Sequence, residues 1–182
     1  MNEKLNIVIP ALPRPTLKEL QEKWPWIQSI ESDRSPEEGV TLELDTVLKK
    51  GESYVSGQEY ERRIKDIPVL GYQQAVCLVE HQDEFPEFKK LCGKIYIDFL
   101  GLMVLDDDGD RSFPCLHESG GRWGLVWGWV DSGLDSGGRV ARSGKSKPRN
   151  LDSRNLEIES LTLELGGKKY KVEGEIKLKE IK

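Results

Sequence analysis

The sequence predicts an α+β protein, with helices in its first half and an antiparallel sheet in its second half. Two observations lead to this prediction. Helix-start signals and apolar residues at helical spacing recur from Thr16 to about residue 91. From Lys94 onwards, short runs of β-branched and aromatic residues alternate with turn signals, as is typical of antiparallel strands.

Length and composition fit a globular protein. The chain has 182 residues, a net charge of -5, 32% charged residues and 37% hydrophobic residues. This length fits one domain, or one domain with a substantial appendage, and allows a core without disulfides or metal. No apolar run approaches the roughly 20 residues of a membrane span, and the run at residues 5–9 is too short for a signal peptide. We expect a cytoplasmic protein by default, with surface display left open.

The elements of the first half follow from caps and apolar spacing. Thr16 with Glu19, and Ser56 with Glu59, match the capping-box pattern that opens helices. Gly93 is placed to close the last helix. We expect strands over residues 5–9 and 40–44, a polar loop over 31–39, and helices over 17–24, 57–65, 72–80 and 85–91.

The second half is predicted to form an antiparallel meander over residues 94–142. Asp108-Gly109 and Gly120-Gly121 are turn signals between extended segments. A loop over residues 132–138 then precedes a further extended segment at 139–141. The sheet would therefore be built from strands that are consecutive along the chain.

The C-terminal part, residues 155–182, is predicted to be a β-rich extension. Alternating apolar residues at 161–165 are answered by Tyr170 and Val172 across a Gly166-Gly167 turn, and residues 176–180 suggest a third strand. The segment before it is basic. A solvated loop is the favoured interpretation, and nucleic-acid binding is disfavoured by the negative net charge. The basic residues are Arg139, Arg142, Lys145, Lys147, Arg149 and Arg154.

Metal sites and catalytic motifs are not predicted. The acidic run at residues 106–110 fails as an EF-hand, because Val104 and Cys115 would fall at its first and twelfth positions. We expect a hairpin turn with solvated carboxylates there. Neither His81 nor His117 lies in a metal-binding pattern, and the cysteines at 77, 92 and 115 form no CxxC pair. A pair of Cys115 and His117 lacks an orienting third group, so we predict no catalytic residue, metal or cofactor.

Residues 122–130 divide cleanly by parity. The odd positions carry Trp, Leu, Trp and Trp, whereas the even positions carry Arg, Gly, Val, Gly and Val. Since side chains on a strand alternate between faces, one face carries three indoles and a leucine while the other is almost bare. Glycine inside a strand usually marks the close approach of something else. We predict a core-facing scaffold of Trp123, Leu125, Trp127 and Trp129.

The run from Trp123 to Arg142 resembles a diversified copy of an asparagine-rich segment of the form WNLNWNWLDNDWNSNDRVAR. Such segments occur in the variable proteins of diversity-generating retroelements. In that family a reverse transcriptase copies a template with errors at adenines, so Asn codons change to residues that include Gly, Val, Leu, Ser, Asp, His, Phe and Cys. Trp is not reachable by this route, which agrees with the parity of the strand.

The resemblance implies a C-type-lectin-like fold as a single domain over residues 1–182. It also implies a non-catalytic, calcium-independent receptor that binds a macromolecule, most simply a protein. The variable, ligand-contacting positions would be Phe113, Cys115, His117, Ser119, Gly124, Val126, Gly128, Val130, Ser132, Gly133, Leu134, Asp135, Gly137 and Gly138. The alternative hypothesis is a small carbohydrate-binding domain, or an enzyme, that uses exposed tryptophans.

Overall fold

The computed structural model describes residues 3–144, 161–165 and 168–172. The chain divides into two compact units, residues 1–144 and residues 145–182, and each is described by itself. The single domain expected over the whole chain stays a prediction.

The first unit is a mixed α+β structure in which strands outnumber helices among the described residues. This confirms the predicted class at the level of α+β. In chain order its elements are β1 (Glu3–Ile9), α1 (Leu17–Lys23), β2 (Ser29–Asp33), β3 (Val40–Asp45), β4 (Tyr54–Val55), α2 (Gly57–Ile64), α3 (Tyr72–Glu80), α4 (Pro86–Lys89), β5 (Tyr96–Asp98), β6 (Leu102–Leu105), β7 (Arg111–Ser119), β8 (Arg122–Trp129), β9 (Leu134–Asp135) and β10 (Gly138–Gly144).

The strands β1, β3, β10, β5, β7, β6 and β2 form one sheet in that order, and β8 pairs with β7. The strands β5 and β6 both pair with β7, at Leu116 and Cys115 and at Ser112 and Arg111 respectively. The strand β10 lies between β3 and β5 and runs parallel to β5. The predicted antiparallel meander over residues 94–142 is therefore wrong at both ends, because β5 and β6 each pair with β7 rather than with each other and β10 runs parallel to β5. Turn signals report only pairing between consecutive strands, whereas β10 pairs with strands distant in sequence.

Both predicted hairpins in this region are present. Gly109 has a φ of 84°, and β6 pairs with β7 across that turn. Gly120 and Gly121 have φ of 62° and 80°, the left-handed pair that a tight two-residue hairpin turn requires. The strands β7 and β8 are in continuous antiparallel register from Ser112 opposite Trp129 to Ser119 opposite Arg122. This hairpin carries most of the residues that the sequence singles out.

The two predicted capping boxes have different outcomes. The Thr16 hydroxyl accepts from the Glu19 amide, and the Glu19 carboxylate accepts from the Thr16 amide, as predicted. The helix α2 also forms, but Ser56 makes no side-chain cap. The Glu59 carboxylate instead accepts from the guanidinium groups of Arg62 and Arg63 at 2.6–2.7 Å. Charge-assisted hydrogen bonds of this kind are stronger than a bond to a neutral amide.

The predicted loop at residues 31–39 begins three residues later than expected, after Asp33. The polar segment Ser29–Asp33 forms the edge strand β2, which pairs with β6. Residues 31–33 are therefore strand rather than loop. Because the partner strand is about 70 residues away, local polarity could not reveal this pairing.

Three buried clusters form the core of the first unit. The first lies under β1, β3, α3 and α4 and includes Phe88 and Trp123. The second includes Tyr60, Phe113 and Val140. The third surrounds Leu20 and Ile27 at the N-terminal helix. The β7–β8 hairpin contributes side chains to all three clusters, so its position is fixed on both faces.

The second unit contains β11 (Leu161–Leu165) and β12 (Lys168–Val172), which pair as an antiparallel hairpin. This confirms the predicted hairpin in the C-terminal extension. The expected third strand at residues 176–180 and the basic residues from Lys145 to Arg154 lie outside the described residues.

Candidate ligand-binding site

The register of the β7–β8 hairpin brings the predicted variable positions of both strands onto one face. Directly opposite residues of an antiparallel pair point to the same face. The odd residues of β7 stand opposite the even residues of β8, as in Cys115 with Val126 and His117 with Gly124. This face is called the display face below; Arg122 lies on it opposite Ser119, and its predicted variable members are Phe113, Cys115, His117, Ser119, Gly124, Val126 and Gly128.

The opposite face of β8 packs against the core. Trp123 is buried, stacks on Phe88 with ring centroids 5.1 Å apart, and donates its indole N–H to the Phe88 carbonyl at 3.0 Å. Trp127 lies in an aromatic cluster with Trp24, Trp26 and Tyr72, at centroid distances of 5.3–6.0 Å. These contacts place Trp123 and Trp127 in the scaffold that was predicted for them. Leu125 packs against two of the buried clusters.

Trp129 is an exception to the predicted scaffold. Its side chain is 65% exposed, and it belongs to none of the three buried clusters. It is the last residue of β8, and the chain enters a 3₁₀ turn (Val130–Ser132) directly after it. Parity places a side chain on a face, but burial also requires something packed above that face. At the end of the strand nothing among the described residues covers the indole.

A cavity of about 310 Å³ opens on the display face and on the loop that follows β8. Its volume lies at the lower end of the range for small-molecule sites. Trp129 lines it together with seven of the predicted variable residues, which are Phe113, Cys115, His117, Gly128, Ser132, Gly133 and Asp135. We call this cavity the display pocket. Most of the residues that line it are therefore positions that the sequence analysis singled out for another reason.

Three residues of the display pocket were not predicted. Tyr54 lies on the short strand β4 and pairs with Asp135, while Tyr96 and Asp98 flank Ile97 on β5. The signal in the sequence was an aspartate within an apolar run, since a buried carboxylate is rare without a reason. Tyr54 carried no such signal, because its position depends on pairing across 80 residues.

The rim of the display pocket is held by a small hydrogen-bond network. The Tyr96 hydroxyl donates to Asp135 Oδ1 and accepts from the Asp135 amide, both at 3.2 Å. The same carboxylate accepts from the Gly137 amide at 2.7 Å. The Tyr96 ring also stacks near the His117 ring, with centroids 6.4 Å apart. The Asp135 carboxylate is thus oriented at the rim although its side chain is exposed.

The floor of the display pocket contains a buried carboxyl group. Asp98 is 2% exposed and accepts from the Tyr60 hydroxyl at 2.9 Å. Burial raises the pKa of Asp98 to about 7. Burial and the neighbouring Asp98 also raise the pKa of the Cys115 thiol. Since the thiolate is the nucleophilic form, this environment does not activate Cys115 toward His117.

The glycines of the display face and its loop differ in the space beside them. A Cβ at Gly128 would lie 2.8 Å from the Phe113 ring, so Phe113 is what approaches the bare strand there. A Cβ would lie 2.1 Å from the Val55 carbonyl at Gly133 and 2.2 Å from the Leu134 side chain at Gly138. At Gly124 the nearest atom is 3.2 Å away, on the Ser119 side chain. The fold thus requires glycine at positions 133 and 138.

Burial corrects the expected exposure of the variable set. Five of its members are buried: Phe113, Cys115, Val130, Leu134 and Gly138. The first four belong to the second buried cluster, because the 3₁₀ turn after β8 packs against both α2 and β7. Phe113 and Cys115 still line the display pocket. The exposed or half-exposed members are His117, Ser119, Gly124, Val126, Gly128, Ser132, Gly133, Asp135 and Gly137.

A second cavity, of about 350 Å³, lies beside α2 and β6. Two of its arginines are already paired, Arg111 with Glu31 and Glu61, and Arg62 with Glu59. No aromatic side chain lines it. The display pocket is the better candidate, because it combines aromatic rings with oriented polar groups.

No protein-family model, curated protein or solved structure matches this chain. Within the described residues, none of the helices has the length and apolar character needed to cross a bilayer. The same residues contain no group of three or more His, Cys, Asp or Glu side chains that is arranged to hold a metal ion.

Proposed function

We propose that this protein is a non-catalytic receptor whose display face and following loop bind a protein partner. The observation that carries the proposal is that predicted variable residues from separate segments lie close together. Seven of the fourteen predicted variable residues, on two strands and in the loop that follows them, line one pocket. In this proposal the surface is diversified by retroelement-directed adenine mutagenesis, on a scaffold of the C-type-lectin type.

The character of the surface supports protein binding. Trp129, Tyr54 and Val126 are the large side chains exposed there, at 65%, 53% and 42%. Exposed aromatic residues beside a pocket are typical of the centre of a protein interface, where Trp and Tyr dominate the binding energy. The tryptophans on the opposite face hold the hairpin rigid, which lowers the entropy lost on binding.

The packing narrows the set of positions at which variation is tolerated. Gly133 and Gly138 leave no room for a side chain, and Phe113 and Leu134 are core residues. Variation in the proposed receptor is therefore concentrated at seven positions, which are His117, Ser119, Gly124, Val126, Ser132, Asp135 and Gly137.

The test is sequencing of the flanking DNA and of this coding segment across a population of the host. We expect a reverse-transcriptase gene, a near-repeat of the segment that differs at adenines, and substitutions concentrated at the seven positions. A locus with neither the gene nor the repeat would overturn the diversification proposal. Substitutions spread evenly over the tryptophans and the open positions would do the same.

A carbohydrate-binding function is the second candidate, and the exposure of Trp129 is the observation that favours it. Trp129 is exposed and lines the display pocket together with Asp135, so the pocket offers an indole and a carboxylate, the stacking and hydrogen-bonding groups that sugar rings use. Titration with a panel of neutral monosaccharides and disaccharides, followed by tryptophan fluorescence, tests this function. Saturable quenching that Trp129→Ala abolishes would favour it over the receptor.

A further inference from the structure

We propose that the display pocket accepts a cationic side chain, lysine or arginine, from the partner protein. This inference rests on the proposed receptor function and specifies the chemistry of its partner. It is argued from the charges, the aromatic walls and the unused hydrogen-bonding capacity of the pocket.

The first step is the sign of the charge. Two carboxyl groups, Asp98 on the floor and Asp135 on the rim, line the display pocket, and no lysine or arginine does. Within residues 5–144 neither carboxyl group forms an ion pair. The nearby Arg139 guanidinium donates to the carbonyls of Ser136 and Gly138 instead. Above the pKa of Asp98, which is about 7, the pocket thus holds two carboxylates that the described part of the protein does not pair with a cation.

The second step is the aromatic wall. Tyr54, Tyr96, Phe113, His117 and Trp129 all line the display pocket. The faces of aromatic rings attract ammonium and guanidinium groups, and the attraction increases when the cation is desolvated. Lysine and arginine also have apolar stems that cover aromatic surface while the charged head reaches a carboxylate. A simple anion gains nothing from these walls.

The third step is the capacity of the carboxyl groups. A carboxylate has about four lone-pair sites. Asp135 Oδ1 uses two of these sites, for the Gly137 amide and the Tyr96 hydroxyl, and Asp98 Oδ2 accepts from Tyr60. Asp135 therefore retains an acceptor oxygen at the exposed rim, already oriented by its neighbours. Such an oriented acceptor suits the donor-rich head of lysine or arginine.

The net charge of the whole chain, -5, has the same sign as the pocket. A basic partner surface would be attracted over a distance of about one Debye length before contact. The aromatic pocket would then select one side chain from that surface. The long-range attraction by the net charge and the short-range contacts in the pocket therefore favour the same class of partner.

The test uses blocked amino acids as probes, followed by NMR shifts of the Trp129 indole and the 135–137 amides. The cationic probes are the N-acetyl methylamides of lysine and arginine, and the neutral and acidic controls are those of norleucine and glutamate. We expect saturable shifts with the cationic probes only. Asp135→Asn should weaken their binding roughly tenfold, since a hydrogen bond to a charged group is lost. The matched control Asp131→Asn removes an exposed carboxylate that does not line the pocket and should leave binding unchanged.

The pH dependence provides a second readout. Asp98 is faced by Tyr60 from α2, Cys115 from β7, and Tyr96 and Asp135 around the pocket. Protonation of Asp98 removes a negative charge from the pocket. We expect cation binding to weaken as the pH falls from 8 to 6. Loss of this pH dependence in Asp98→Asn supports the inference, and an unchanged pH dependence in that variant would contradict it.

Several outcomes would overturn the inference. Norleucine probes that bind as well as lysine probes would show that charge plays no part. Binding of neutral sugars without binding of cations would favour the carbohydrate-binding function. A protein partner captured by the display face but unaffected by Asp135→Asn would overturn the cationic side chain and leave the receptor function standing. Cation binding in a protein whose locus lacks a retroelement would instead support the cation-binding pocket and overturn only the diversification proposal.

Discussion

The five glycines of the display face and its loop have different tolerances for a side chain. Gly133 combines a φ of 68° with a carbonyl 2.1 Å from the position of a Cβ, and Gly138 faces the Leu134 and Tyr96 side chains. Both positions require glycine for steric reasons. A Cβ at Gly124 would meet the Ser119 side chain at 3.2 Å and the His117 carbonyl at 3.8 Å, and one at Gly137 would meet the flexible Asp135 carboxylate at 3.2 Å. Adenine mutagenesis would change these positions alike, but the fold does not accommodate a side chain equally well at all of them.

We therefore expect substitution by serine to change stability to different extents at these glycines. Gly133→Ser and Gly138→Ser should each lower the free energy of unfolding by at least about 2 kcal/mol, through backbone strain and overpacking. Gly124→Ser should change it by less than about 0.5 kcal/mol, as is usual for open surface positions. Gly128→Ser should fall between them, because the Phe113 ring has to shift. Urea denaturation measures all four, and a neutral Gly138→Ser would contradict the packing.

The tryptophans provide a second test at the residue scale. Trp123→Ala removes a buried indole that stacks on Phe88 and should cost about 3–5 kcal/mol. Trp129→Ala removes an exposed indole and should cost less than about 1 kcal/mol. The two variants delete the same group from the two ends of one strand, so each is the control for the other. Equal losses would mean that Trp129 is packed rather than displayed.

The buried Asp98 carboxyl makes stability depend on pH. Its pKa is raised by burial from the ordinary value of 3.8 to about 7, so the folded state binds more protons than the unfolded state between these values. Stability therefore falls as the pH rises from about 4 to 7, and the loss is complete above 7. Asp98→Asn keeps an acceptor for Tyr60 but removes the titration.

The comparison is best made between pH 5 and 8. In this window the carboxylates of Glu52 and Glu59, whose pKa values are lowered to about 2 by Arg63 and Arg62, stay ionised. The pKa of His81 is raised by Glu84, and this contributes equally to wild type and variant. We expect the unfolding free energy of wild type to fall with rising pH more steeply than that of Asp98→Asn. Parallel curves would exclude Asp98 as the titrating group.

At the scale of the elements, β8 is an edge strand whose exposed backbone is partly closed by one side chain. The Gln82 carbonyl oxygen accepts from the Trp123 amide at 2.9 Å, and the Gln82 amide donates to the Trp123 carbonyl at 3.2 Å. Gln82 is buried and substitutes there for a neighbouring strand. Closing the edge in this way also limits pairing with another chain.

Removal of this closure should destabilise the hairpin. We expect Gln82→Ala to cost about 1–3 kcal/mol, because it leaves a buried donor and a buried acceptor unpaired. Gln58→Ala is the matched control, since Gln58 is an exposed residue on α2. Hydrogen exchange of the Trp123 amide gives the local readout, and we expect its protection to drop in Gln82→Ala only. Unchanged protection would mean that the Gln82 contact does not close the edge.

The elements also show what could be predicted from the sequence. Parity assigned the two faces of β8, and the glycine pair at 120 and 121 located the turn, because both depend on neighbouring residues alone. The pairing of β10 with β5, the edge strand β2 and the exposure of Trp129 depend on contacts between distant segments. The residues that line the display pocket on the β7–β8 hairpin were singled out from the sequence, whereas Tyr54, Tyr96 and Asp98 were missed, because their positions depend on such distant contacts.

At the scale of the molecule, the first unit contains every buried cluster found among the described side chains. Its length of 144 residues is typical of an independently folding domain. Its last strand, β10, is held between β3 and β5, and Arg142 forms ion pairs with Glu43 and Asp45. Both the scaffold and the display pocket therefore lie within one cooperative unit.

We therefore expect residues 1–147 to fold without the rest of the chain. Ending the chain at Lys147 keeps the new terminal carboxylate away from Gly144, which lies beside the Glu43 side chain. Because the buried clusters are intact, the shortened chain should unfold in one cooperative transition, within about 5 °C of the full chain. It should also retain the cation-induced shifts of the Trp129 indole. Calorimetry and the same NMR titration check both points. A shortened chain that folds but no longer binds would place part of the binding site in the C-terminal unit.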